Sequence, residues 1–106
     1  MSERLLVEEA KRRAEVFRNL EERLRVIAEV VREMDRDARV YLFGSVAEGR
    51  HLLSSDIDVL VVTRRSPGEV LAKLWEKGIG DPFEVHVVTE EMLELYRRRA
   101  KLVEVA

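Results

Sequence analysis

The chain has 106 residues, 46% of them hydrophobic and 38% charged, with a formal net charge of −2 and no cysteine. This is length for one domain with one core, and the composition of a folded protein with a charged surface rather than a disordered one. The charge makes no global case for nucleic-acid binding, disulfides and thiolate metal sites are excluded, and no apolar run is long enough to span a bilayer.

The N-terminus is charged and lacks the apolar centre of a signal peptide, so a cytoplasmic location is expected. Ser2 is placed to cap a helix starting near Glu3. From about 8 to 36 the pattern is helical: Ala14, Phe17, Leu20, Leu24, Ile27, Val31 and Met34 recur at three- and four-residue steps. No Pro or Gly interrupts them. The spacing predicts one long amphipathic helix lying on a sheet, with an exposed N-terminal half able to meet a partner or a second copy. Asp35 to Arg39 is a polar break.

Val40 to Phe43 reads as a buried strand that stops at Gly44-Ser45. Gly44 permits a tight turn and close approach of a ligand. Ser45 can start a short helix through Val46, Ala47 and Glu48. Backbone N–H groups at such a helix start favour an anion; a plain Ser-capped turn is the alternative. Arg50 and His51 are the cations of the following loop, His51 as a solvated residue.

Ser54-Ser55 leads to Asp56-Ile57-Asp58 and the apolar run Val59 to Val62. Alternate residues of a strand share a face, so Asp56 and Asp58 are expected to point the same way at the wet end of a dry strand. Two like charges that close repel, and a hard cation such as Mg²⁺ relieves the conflict with oxygen ligands. Turn-forming aspartates at a strand start are the structural alternative.

Thr63 to Gly68 is a turn, and Ser66-Pro67 suits a helix start. The helix is expected from Pro67 to Lys77 with Val70, Leu71, Leu74 and Trp75 inward and Gly78 at its end. Gly80-Asp81-Pro82 turns again. Phe83 to Val88 alternates as a third strand, with Glu84, His86 and Val88 on one face. His86 is read as a satisfied structural histidine, although it could also bond Glu84 or approach a ligand. Thr89 caps a last helix running to about Arg99. Its basic end, Arg97-Arg98-Arg99-Lys101, is a solvated terminus or a surface for RNA or an acidic partner. The final VEVA offers nothing to interpret.

The alternation of these elements predicts an α/β fold. Gly44-Ser45, ten further residues, then Asp56-Ile57-Asp58 in a strand resembles the signature of the DNA polymerase β-like nucleotidyltransferases. The wording FGSVAEG…SDIDVLVV is most similar to the minimal nucleotidyltransferases. The resemblance spans roughly residues 38 to 96, the catalytic core of a single domain over 1–106.

The resemblance implies a small two-layer sandwich, a mixed sheet with helices packed mainly on one face. It implies Asp56, Asp58 and Glu84 as catalytic carboxylates and ligands of two Mg²⁺ ions, with Gly44, Ser45 and Arg50 at the nucleotide. The implied reaction is transfer of a nucleoside monophosphate, AMP from ATP, to an acceptor hydroxyl. The implied partner is a separate helical HEPN toxin, with this chain as antitoxin. One departure stands out: where related chains carry a basic residue before the loop glycine, this one has Glu48. That favours the alternative of a weak or inactive binding module that neutralises its partner by contact.

Overall fold

The computed structural model describes residues 3–105; the Ser2 cap lies outside them. The single long helix expected over 8–36 is instead two. Helix α1 spans Glu3–Arg18 and α2 spans Leu20–Met34. The break falls at Asn19, whose φ of −106° and ψ of 25° leave helical geometry. Its side-chain Nδ2 donates to the Glu15 carbonyl at 3.0 Å. An Asn amide competes for nearby backbone groups, and here it ends one helix while the Asn19 carbonyl accepts the first bond of the next, from Arg23 N at 2.9 Å.

The break separates two roles. In α2, Leu24, Ile27, Ala28, Val30 and Val31 are buried. In α1 no residue is fully buried, and only Val16 and Phe17 lean on the core. Burying a Leu, Ile or Val side chain is worth about 1.5–3 kcal/mol over leaving it exposed, so α2 anchors the pair.

Four strands form one sheet: β1 (Arg39–Phe43), β2 (Ile57–Val62), β3 (Phe83–Val88) and β4 (Val103–Glu104). Their order is β3-β2-β1-β4, with β2 and β3 parallel and the other pairs antiparallel. The mixed sheet is thus as expected, with one strand more. The tail that offered no reading forms β4: Val103 pairs with Leu42, and Val105 N donates to the Val40 carbonyl at 2.8 Å.

One face of the sheet carries Val40, Ile57, Val59 and Val61, and it is covered by α2 and α4 (Pro67–Glu76). The Ser66 hydroxyl caps α4 by accepting from Glu69 N at 3.2 Å. Val70 and Leu74 pack inward, but Leu71 and Trp75 do not, being 44% and 74% exposed. A helix buries a stripe; Val70 and Leu74 are four apart and fill it, so their C-terminal neighbours turn outward. The Trp75 ring lies over Gly80 instead, where an added Cβ would come within 3.1 Å of it.

The second face carries Tyr41, Leu60 and Val62, covered by Leu93 of α5 (Glu90–Arg99). Near the end of this sheet where β1 starts, the Thr63 hydroxyl donates to Asp35. That bond, followed by the Asp37 amide, holds the Asp35 carboxyl below its ordinary range. Among the described residues no helix is long and apolar enough to cross a membrane.

Candidate active site

The remaining short helix, α3 (Gly44–Ala47), starts directly from the end of β1. Gly44 has φ of +77°, and a Cβ there would stand 2.4 Å from Asp58 Oδ2. Backbone conformation and space therefore both demand glycine. Asp58 is the second residue of β2 and pairs with Phe43 across the sheet. On its other side it stands level with Glu84 in the parallel ladder of β3. Strand alternation puts His86 on the same face as Glu84, and the three side chains converge.

Donor atoms of Asp58, Glu84 and His86 all lie within 4.8 Å of one another. His86 Nε2 is 3.5 Å from Asp58 Oδ1 and 3.7 Å from Glu84 Oε1. These distances are too long for hydrogen bonds. Nε2 is closed off from solvent and has no hydrogen-bond partner among the described residues. The expectation of a satisfied structural histidine is therefore corrected. Its ring is fixed edge-on to Phe43, centroids 5.2 Å apart, and Phe43 packs in the same way on Tyr96 at 5.6 Å.

Two ligands about 2.1 Å from one small divalent cation stand about 3–4 Å from each other. The Nε2 separations of 3.5 and 3.7 Å fall in that range. A buried nitrogen that faces two carboxylates and hydrogen-bonds neither fits a cation between them. Asp58 is half-buried and Glu84 mostly exposed, which leaves the cluster open on one side.

The other residues expected at the site are placed differently. Asp56 precedes β2, is exposed, and lies outside the converging group. Ser45 is half-buried at the second position of α3. Arg50 is engaged by Glu48, with Nη2 3.1 Å from its Oε1, so the uncommon acid and the loop cation partner each other. His51 is stacked on Phe17 of α1, ring centroids 5.1 Å apart.

Arg13 escaped the sequence reading. It is largely buried although it belongs to the exposed helix α1. Nη1 donates to the Ser55 carbonyl at 3.3 Å and Nη2 reaches Asp81 at 3.5 Å. It thereby ties the loop before Asp56 to the loop before Glu84. One buried Arg among the many Glu and Arg of α1 carries no sequence signal of its own.

The fold and the site define a small α/β protein with carboxylates gathered on two parallel neighbours of a mixed sheet, beside a glycine turn. Residues 24–105 match the nucleotidyltransferase domain family, and the chain belongs to that family. A crystal structure of a protein provisionally called a nucleotidyltransferase is 31% identical to this chain, with a TM-score of 0.64. It covers 77% of this chain and 96% of its own. A second structure, from Sulfolobus solfataricus and with the same provisional name, is 22% identical with a TM-score of 0.53. It covers 89% of this chain and 85% of its own and supports the fold. No curated protein matches the chain.

Proposed function

We propose that the chain is a cation-dependent nucleotidyltransferase that moves AMP from ATP to an acceptor hydroxyl. The observation that carries this reading is the pairing of Asp58 with Glu84 across β2 and β3, against a glycine turn with no room for a side chain. Asp58, Glu84 and Asp56 would hold divalent cations, Mg²⁺ in the family pattern, of which two suit this chemistry. Bound there, such cations neutralise the triphosphate and acidify the acceptor hydroxyl.

The acceptor oxygen bonds to the α-phosphorus, the bond to the bridging oxygen breaks, and pyrophosphate departs with its electron pair. Glu84, open to solvent, would receive the acceptor proton. The Gly44 backbone and the Ser45 hydroxyl orient the departing phosphates. Arg50 joins them once Glu48 releases it. Most of the acceleration comes from positioning and charge stabilisation.

The acceptor is proposed to sit on a separate helical partner of the HEPN type, with this chain acting as its antitoxin in the cytoplasm. Exposed Leu6, Leu52 and Leu53 line one groove beside the loop that leads to Asp56, and clustered apolar surface of that kind marks interaction sites. The same groove favours a second reading, neutralisation of the partner by contact alone.

The test is thermal stabilisation of wild type and Asp58→Asn by each NTP, with and without Mg²⁺. A ligand at a hundredfold excess over its Kd stabilises by about 2.7 kcal/mol. The expected result is a Mg²⁺-dependent rise with ATP that Asp58→Asn abolishes. No rise with any NTP would refute the enzyme reading. Partner neutralisation that survives Asp58→Asn would establish the contact-only reading.

A further inference from the structure

Asp58, Glu84 and His86 present two oxygens and one nitrogen to a shared space. Resting on the metal-dependent reading above, we propose that His86 Nε2 is a ligand of the cation held by Asp58 and Glu84. It would set the preference of that site toward Mn²⁺ over Mg²⁺.

The geometry points this way in three respects. First, Nε2 is buried and has no hydrogen-bond partner among the described residues, only the two carboxylates at ion-pair distance, whereas a histidine placed only for packing would turn a nitrogen to a donor or to water. Second, the ring is braced on its own face of the sheet: Phe43 meets it edge-on, and Tyr96 meets Phe43 edge-on in turn. Third, the two carboxylate atoms nearest Nε2 come from different strands, at 3.5 and 3.7 Å, so the nitrogen looks into the gap between them rather than at either one. Asp58 divides its two oxygens accordingly. Oδ2 faces the Gly44 backbone, and Oδ1 is the atom nearest Nε2.

The chemical consequence follows from donor softness. Mg²⁺ keeps to oxygen ligands and water. Neutral imidazole suits the later first-row ions best, and Mn²⁺ stands at the weak end of that series, the member closest to Mg²⁺ in its liking for oxygen. Mn²⁺ also accepts carboxylate and water, which the exposed side of this cluster supplies. His86 is thus a specificity-determining residue for the metal, a role that its neighbour Glu84, an oxygen donor, cannot fill.

The test uses untagged protein with Mn²⁺ and Mg²⁺ as the probes. Their affinities are measured by calorimetry in wild type, His86→Gln and Asp58→Asn. Pulsed electron paramagnetic resonance of the Mn²⁺ form then reads coupling to a coordinated imidazole nitrogen. Wild type is expected to bind Mn²⁺ at least tenfold more tightly than Mg²⁺ and to show the nitrogen coupling. In His86→Gln the ratio should fall at least fivefold and the coupling should vanish. His51, the other histidine of the chain, is left in place as the control for adventitious nitrogen.

Absence of nitrogen coupling in wild type overturns the proposal even if His86→Gln fails to fold. So does a Mn²⁺ to Mg²⁺ ratio unchanged by His86→Gln. In both cases, binding that Asp58→Asn still abolishes would leave the carboxylate site standing. Failure of wild type to bind either ion, with or without ATP, would remove the metal reading itself.

Discussion

Replacing Gly44 by alanine perturbs the site at its tightest point. The backbone there has φ of +77°, and the new Cβ would stand 2.4 Å from Asp58 Oδ2. Holding an L-residue in the left-handed region costs about 1–2 kcal/mol. The carboxylate must also move, and a side chain pushed off its rotamer costs about 0.5–1.5 kcal/mol. The total is about 1.5–3.5 kcal/mol, which for a domain of this size lowers Tm by about 6–28 °C. Urea denaturation should show a lower midpoint at unchanged slope.

The two parts of that cost separate in a double-mutant cycle. With Asp58→Ala in place the steric part disappears, and Gly44→Ala should then cost only about 1–2 kcal/mol. A coupling of about 0.5–1.5 kcal/mol between the two positions is the expected result, within the range seen for residues in contact. Equal cost in both backgrounds would refute the claim that the turn is built around Asp58. A cost for Gly44→Ala below about 0.5 kcal/mol would refute the backbone argument as well, since that is the noise of ordinary surface substitutions.

Three further outcomes are expected. Thr63→Val removes the hydroxyl that donates to Asp35 and should lower stability by about 1 kcal/mol at neutral pH. Because the Asp35 pKa is held below its ordinary 3.8, that stabilisation is present above this value and is lost as pH falls through the lower folded-state value. The Thr63 hydroxyl also accepts from Arg65 N at 3.1 Å, so the urea midpoints of wild type and variant should draw closer without meeting as pH falls below 3.8, and a constant gap would contradict the assignment. Trp75→Ala should change stability by less than about 0.5 kcal/mol, against about 3–5 kcal/mol for a tryptophan in a core. The single tryptophan should emit as a solvated indole. Arg13→Ala should cost about 1.5–3 kcal/mol through its lost charged hydrogen bond to the Ser55 carbonyl and its ion pair with Asp81. Faster hydrogen exchange at the Ile57 amide, which bonds the Pro82 carbonyl across the two loops, and at the Phe83 amide, which closes the second loop on Gly80, would show that the tie has been cut.

Much of the fold could be read because its signals are local. The period-two alternation of Phe83 to Val88 defined β3 to the residue. Ser66-Pro67 marked the start of α4, and the apolar runs marked β1 to within one residue and β2 to within two. The family resemblance placed Gly44, Asp58 and Glu84 together, as they are found. Apart from the Asn19 break, which turns on a carbonyl four residues back, what the sequence did not reveal was non-local. The Asn19 break depends on a side chain choosing its own helix as partner. Strand β4 exists because β1 has a free edge for it, which no property of Val103 and Glu104 alone announces. Trp75 faces outward because Val70 and Leu74 already fill the stripe. Asp56 obeyed the alternation rule only on the assumption that the strand had begun, and β2 starts one residue later. Arg13 and the orphaned nitrogen of His86 emerge only when loops and strands distant in sequence are brought side by side.

Strand β3 also ends the sheet on its side. An outermost strand offers its free backbone groups to any other chain that can lie beside it, and polar or charged side chains on such a strand discourage that. Glu84 and His86 are the polar residues of β3, set among Phe83, Val85, Val87 and Val88. The pair that lines the proposed metal site is thus also the polar guard of this edge against self-association. A lesion such as Glu84→Val would leave FVVHVV, an apolar β-branched edge, and so would carry a second phenotype unrelated to chemistry. Solubility would fall with rising protein concentration, which Glu84→Gln, equally damaging to a metal site but still polar, would not reproduce.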